Sequence, residues 1–231
     1  MKKKIALVLL LLVSIITLTG CTNNKEDAKK FKEEYESLNG EKRSDGKEFR
    51  SIEVDEKNPI IYSSFEEVNK MIDKKESFIV YTGFNACPWC RTVIPYAIKQ
   101  AKENGIKKIY YINVRENDDK SKDLRGYKKL DDDNKVVVEF ESASGYLDFT
   151  KHCDSVLDPY VLKDKEGNEY ETGEDRLMAP TLFMVINGEV VKATSGISEE
   201  QKDGYGEITE KMENDMNSSL NEFFKYFKEN K

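Results

Sequence analysis

The most constraining feature of this chain is an apolar run that leads into a closely spaced pair of cysteines. Phe78 to Tyr81 are continuously apolar, the pattern of a strand buried on both faces. The strand predicted over Ser77 to Thr82 is followed by Cys87-Pro88-Trp89-Cys90, which opens a helix predicted to run to Asn104 and stop at Gly105. The flanking segments alternate in the same way. Ile60 to Tyr62 reads as a short strand, and Ser64-Phe65-Glu66-Glu67 as a capping box opening a helix to about Lys74. Lys108 to Val114 reads as another strand. Farther on, Thr181 to Ile186 and Glu189 to Ala193 flank Asn187-Gly188, a strong hairpin signal. Ile208, Met212, Met216, Leu220, Phe223 and Phe227 mark the core face of a last helix. The order β-α-β-α-β, long segment, hairpin, helix predicts an α/β layer fold.

The length of 231 residues fits one such domain carrying an insertion. The 37 Lys+Arg are interleaved with 44 Asp+Glu, for a net charge of −7. That excludes nucleic acid as a partner, because a phosphate-binding surface needs a basic excess or stripe. Four cysteines, at 21, 87, 90 and 153, are too few for a disulfide-stapled miniprotein.

The N-terminus accounts for the first of them. Lys2, Lys3 and Lys4 precede the apolar run Ile5 to Leu18, which is shorter than the roughly 20 residues of a membrane span. Residues 1–20 therefore read as a signal peptide. Leu18-Thr19-Gly20-Cys21 resembles the lipobox of bacterial lipoproteins. The resemblance implies that Cys21 becomes a lipidated N-terminus and holds the protein on the extracytoplasmic face of the cell membrane. Acyl chains bind by burying CH₂ groups at about 0.8 kcal/mol each. Residues 21–50, rich in Lys, Glu, Asp, Asn and Gly, read as a polar tether. Against that, Phe31, Tyr35 and Leu38 lie at i, i+4 and i+7 and favour a short helix docked on the body. Both readings stay open, with residues 51–231 as the folded domain.

Placing Cys87 at a helix start suits thiol chemistry. The macrodipole and free N–H groups stabilise a thiolate there and lower its pKa below the free value of about 8.5. Two intervening residues let Cys90 reach the first sulfur across one turn. The expectation is that Cys87, nearer the helix end and more exposed, attacks a disulfide and Cys90 resolves the adduct. A zinc site built from Cys87, Cys90, His152 and Cys153 is a weaker reading, since adjacent His-Cys ligands are awkward and no second C-x-x-C exists. A purely structural disulfide across so small a loop would remove little chain entropy.

Taken with Pro95 in the helix, the run Pro180-Thr181-Leu182-Phe183-Met184-Val185-Ile186-Asn187-Gly188 and the later Gly196, the motif closely resembles thioredoxin over about 58–114 and 178–228. The resemblance implies a central mixed sheet flanked by helices and a redox-active Cys87-Cys90 disulfide, with no other cofactor and no metal. Pro88 and Trp89 would tune the couple. Ala179 and a cis Pro180 would bind the substrate chain as an added strand. Implied partners are Cys-containing proteins or peptides and a membrane electron-transfer protein.

Two positions depart from the pattern: Tyr81 and Tyr111 stand where the family keeps a buried Asp and Lys. Asn113 to Pro180 is also far longer than a single crossover helix, so about 115–177 must fold as an inserted cap. Within it, Ser121 to Leu130 reads as a helix, Val136 to Phe140 as strand or helix, Tyr146 to Leu157 as a helix, and Tyr160 to Tyr170 as two strands around Gly167-Asn168. Insertion-bearing relatives with a Cys-Pro-aromatic-Cys motif include the bacteriocin-transport-accessory type, which Tyr81 to Val114 resembles. The expected function is thiol-disulfide exchange. The alternative is a binding or accessory module for peptide export or assembly, with incidental redox activity.

Overall fold

A computed structural model of the protein describes residues 24–43 and 45–231. The expected signal peptide and Cys21 lie outside these residues. The central sheet has five strands, β1 (Ile60–Tyr62), β2 (Phe78–Gly83), β3 (Ile109–Asn113), β8 (Thr181–Ile186) and β9 (Glu189–Thr194), in the order β1-β3-β2-β8-β9. The first three are parallel, while β8 runs antiparallel to both β2 and β9. All six residues of β2 are buried, as its uninterrupted apolar sequence requires at the centre of a sheet.

Helices cover both faces. The crossovers from β1 to β2 and from β2 to β3 run in opposite directions across the sheet. Right-handed connection therefore puts α2 (Phe65–Asp73) and α3 (Pro88–Glu103) on opposite faces. The capping box forms, with Ser64 accepting from the Glu67 N–H. Helix α3 contains Pro95 and ends at Asn104 before Gly105, whose φ of 75° suits the left-handed turn that follows a helix. The C-terminal helix α5 (Glu210–Asn230) packs on α3 through Met216, Leu220, Phe223, Phe224 and Phe227. Ile208 lies one residue before its cap, Thr209.

The polar tether is corrected from residue 24 onward, where the docked-helix reading holds. Helix α1 spans 24–36. Its Phe31 and Tyr35 are fully buried and belong to the same core as the sheet, with Leu38 packed against it. Burying two aromatic rings supplies far more stabilisation than a solvated tether would gain from disorder. The chain beyond α1 is pinned by Asn39, which exchanges two hydrogen bonds with the backbone of Ile52 at 2.8 and 3.0 Å.

The insertion folds as two antiparallel hairpins and a short helix. Strand β4 (Tyr127–Leu130) pairs with β5 (Val136–Phe140), and β6 (Asp158–Lys163) with β7 (Glu169–Arg176). The second hairpin matches the strands expected around Gly167-Asn168. The helix expected over Ser121 to Leu130 does not form. Two single-turn 3₁₀ segments precede Gly126, whose φ of 65° breaks any helix there, and Tyr127 starts a strand. Helix α4 (Ser144–Thr150) is shorter than expected. The chain then tightens, with the Cys153 N–H donating to Thr150 O at 2.9 Å. Helix α4 packs on α2, and the Phe149 ring meets Phe65 and Phe183 at 5.4 and 5.2 Å.

Candidate functional site

Cys87 caps α3, and Pro88 follows in its first turn, where a missing N–H costs nothing. The Cys87 Sγ accepts the Cys90 N–H at 3.2 Å. On its other side it lies 3.5 Å from the carbonyl oxygen of Ala179. The Ala179-Pro180 bond, just before β8, is cis. Both cysteines are free.

Cys87 is more exposed than Cys90, as expected, but only narrowly: it is 3% exposed and Cys90 is fully buried. The covering comes from the segment before α5. A side chain at Gly204 would meet Pro88 and Trp89 within 3.2 Å, so Gly lets the backbone lie on the motif. Gln201 donates to Thr92 on α3 at 3.3 Å, and Arg50 donates to the Gly206 carbonyl. Pro88 and Trp89 remain half-buried.

The two thiols are driven apart electrostatically. Burial raises the Cys87 pKa, but hydrogen bonds from the Cys90 thiol and from the N–H groups of Cys90 and Trp89, with the charge of Arg125, outweigh it and hold Cys87 below the ordinary thiol range. Burial, reinforced by the Cys87 sulfur beside it, holds Cys90 far above that range. Cys87 is the more acidic of the two thiols and Cys90 the less acidic.

Arg125 is a contribution of the insertion with no sequence signal. It binds the fully buried Asp123 through Nη2 at 2.7 Å and Nε at 2.8 Å, and Arg115 holds the same carboxylate at 2.8 Å. Burial raises the Asp123 pKa, but the hydrogen bonds and charge of Arg125, with the hydrogen bond of Arg115, outweigh it and hold the carboxyl below its ordinary range. Arg125 also reaches the Leu177 carbonyl at 3.3 Å, two residues before Ala179. A cavity of about 430 Å³ lined in part by Arg125, Arg176, Tyr160 and Met178 opens beside it, with Met178 63% exposed.

The Cys90 side is built from tyrosine. Tyr81 and Tyr111, register partners on β2 and β3, stack at 5.4 Å and are fully buried. The Tyr81 hydroxyl and the Cys90 sulfur both face Gly83, and the hydroxyl lies 3.1 Å from the Tyr35 hydroxyl of α1. Burial keeps the phenols of Tyr35, Tyr81 and Tyr111 protonated, well above the ordinary tyrosine range. At the outer end stands Glu34, a half-buried carboxylate that accepts from Tyr62, from Tyr111 at 3.4 Å and from Asn113 at 3.1 Å. The fully buried Arg91 ties α1 to α3 by donating to Tyr35 O and Asn39 Oδ1, both at 2.7 Å.

The remaining predicted residues do not join the site. His152 is exposed. Cys153 is buried, its thiol pushed up to about 12 by burial and then by Asp154. Among the described residues no three His, Cys, Asp or Glu side chains group to hold a metal ion, so the four candidate zinc ligands are not assembled. No helix of the described residues is long and apolar enough to cross a membrane. Comparison with protein-family models, with curated proteins and with solved structures gives no match.

Proposed function

We propose that this chain is a thioredoxin-like thiol-disulfide oxidoreductase that exchanges disulfides with Cys-containing proteins or peptides. The observation that carries the reading is the placement of the two sulfurs: Cys87 caps α3, with its Sγ accepting the Cys90 N–H at 3.2 Å and facing the Ala179 carbonyl at 3.5 Å, and Cys90 lies buried one turn behind it. The Cys87 thiolate attacks a substrate disulfide, one substrate sulfur leaves, and a mixed disulfide forms. Cys90 then attacks the Cys87 sulfur, the second substrate sulfur leaves, and the Cys87-Cys90 disulfide remains. The substrate gains the two electrons that the dithiol loses. The Ala179 carbonyl, which faces the Cys87 sulfur, and the exposed Met178 offer an extended peptide a backbone acceptor beside Cys87 and an apolar contact.

The test is adduct trapping. Cys90→Ser leaves the mixed disulfide unresolved and accumulates substrate-linked protein, and Cys87→Ser accumulates none. Equal behaviour of the two variants contradicts the reading. The 3% exposure of Cys87 favours a second reading, a binding or accessory module for peptide export or assembly with incidental redox chemistry. Disulfide exchange with insulin that is no faster than that of a small free dithiol selects it.

We further propose that Cys21 is lipidated and anchors the protein to the extracytoplasmic face of the membrane, where a membrane electron-transfer partner sets the state of the dithiol. Incorporation of a labelled fatty acid that survives Cys21→Ser contradicts the anchor.

A further inference from the structure

Resolution of the mixed disulfide needs the Cys90 thiol to lose its proton, and Cys90 is fully buried. No carboxylate touches its sulfur among the described contacts. The polar group nearest to it across Gly83 is the Tyr81 hydroxyl: a methyl group placed on Gly83 would fall 2.6 Å from that hydroxyl and 3.1 Å from the Cys90 sulfur. From Tyr81 the hydroxyls continue to Tyr35 at 3.1 Å; the Tyr35 ring meets the Tyr111 ring edge-on at 6.2 Å, and the Tyr111 hydroxyl lies 3.4 Å from Glu34 Oε1 and 3.5 Å from the Gly83 carbonyl. Each phenol both donates and accepts, so a proton can enter on one side as another leaves. The line ends at the first group on it that can hold a charge and meets solvent.

Resting on the exchange activity proposed above, we infer that Glu34 is the proton acceptor for Cys90, acting through Tyr81, Tyr35 and Tyr111. In the resolving step the Cys90 S–H proton passes to Tyr81 while each hydroxyl hands its own proton onward, and Glu34 becomes a neutral carboxylic acid. The freed Cys90 sulfur attacks Cys87, the Cys87–substrate bond breaks, and the leaving thiolate takes a proton from water. Glu34 then returns its proton to solvent. The phenols end as they began, which suits groups that burial keeps from ionising. Burial raises the Glu34 pKa against the lowering effect of Tyr62, Lys30 and Tyr111, which makes it a better base than a free carboxylate. The groups facing Glu34 are Lys30 on its own helix, Tyr62 on β1, and Tyr111 and Asn113 on β3. Those facing Cys90 are Cys87, Tyr81 and Tyr35, with Arg125 acting through its charge.

An aromatic disulfide such as dithionitrobenzoate reads both steps in one reaction, in a full chain carrying Cys21→Ser and Cys153→Ser. A first release of thionitrobenzoate reports attack by Cys87, and a second reports resolution by Cys90. Glu34→Gln is expected to leave the first release unchanged and to slow the second by about 10²-fold at neutral pH. The deficit should shrink as pH rises, because hydroxide then takes the proton directly. Tyr35→Phe, which keeps the buried ring and removes one link, should act in the same direction and carries the test if Glu34→Gln does not fold. Glu33→Gln, on the exposed side of the same helix, should change neither release. A second release unchanged in both Glu34→Gln and Tyr35→Phe overturns the relay. So does equal slowing of both releases at every pH, which marks a structural defect. Absence of any first release in the parent chain overturns instead the exchange activity on which the relay rests.

Discussion

Cys87 meets a helix end, two backbone N–H groups and the guanidinium of Arg125, whereas Cys90, one turn along the same helix, meets its partner's sulfur and a stack of buried phenols. The first environment favours charge and the second forbids it. Most of the groups that make the difference belong to the β-α-β-α-β frame, and two added segments stand beside them. Arg125 belongs to the insertion, and Tyr35 and Glu34 belong to the N-terminal helix. The frame supplies the dithiol, the helix end and Tyr81, while the insertion adds the charge of Arg125 near Cys87 and the N-terminal helix adds Tyr35 behind Tyr81.

The comparison breaks most completely at the sulfurs themselves. Cys87→Ser should reduce insulin disulfide exchange to the uncatalysed rate, while Cys90→Ser should retain the first attack and stall. Next come the supports. Arg125→Met strips Asp123 of one of its two guanidinium partners, and denaturant unfolding should show a loss of about 3–5 kcal/mol. Phe31→Ala, which empties a site buried at 0% exposure on α1, should cost about 3–5 kcal/mol. A loss near zero would return residues 24–50 to the status of a tether.

A smaller effect follows from pH. The lowered pKa of Cys87 means its thiolate is present where a free thiol is protonated, so alkylation of Cys87 should reach half its plateau below about pH 8.5. By linkage, this thiolate stabilises the reduced fold fully above the unfolded thiol pKa, and that contribution is lost as pH falls through the folded value. Cys90, shifted upward, has the opposite sign: the fold resists its ionisation and is weakened only at alkaline pH. Arg125→Met should move the Cys87 midpoint upward. Smallest of all, His152→Ala should change stability by no more than about 0.5 kcal/mol, and Cys153 should resist alkylation until the protein unfolds.

Much of the frame is legible in the sequence because local patterns dictate it. The continuous apolar run of β2, the Ser64–Glu67 box, Gly105 after α3 and Asn187-Gly188 with positive φ at both turn residues each specify their own conformation. The insertion was harder to read, since Gly126 and the Asp123–Arg125 pair decide its course and neither shows in periodicity. The site divides the same way. Cys87, Cys90, Pro88 and Trp89 are one motif, whereas Arg125, Arg91, Tyr35 and Glu34 act through contacts across the fold. The one hint was chemical: tyrosines at 81 and 111, where a buried thiol calls for an ionisable neighbour, ask for an acid from elsewhere.

The central claim, that Cys87 and Cys90 form a reversible redox couple, is tested most directly by equilibrating the protein with glutathione buffers of graded poise and measuring disulfide content by intact mass and peptide mapping. The account predicts one two-electron transition, with the disulfide mapped to Cys87–Cys90 and Cys153 free throughout; a midpoint near about −270 mV would mark a reductant and one near about −120 mV an oxidant. A dithiol that stays reduced across the whole range, or a disulfide that maps to Cys153, would contradict it.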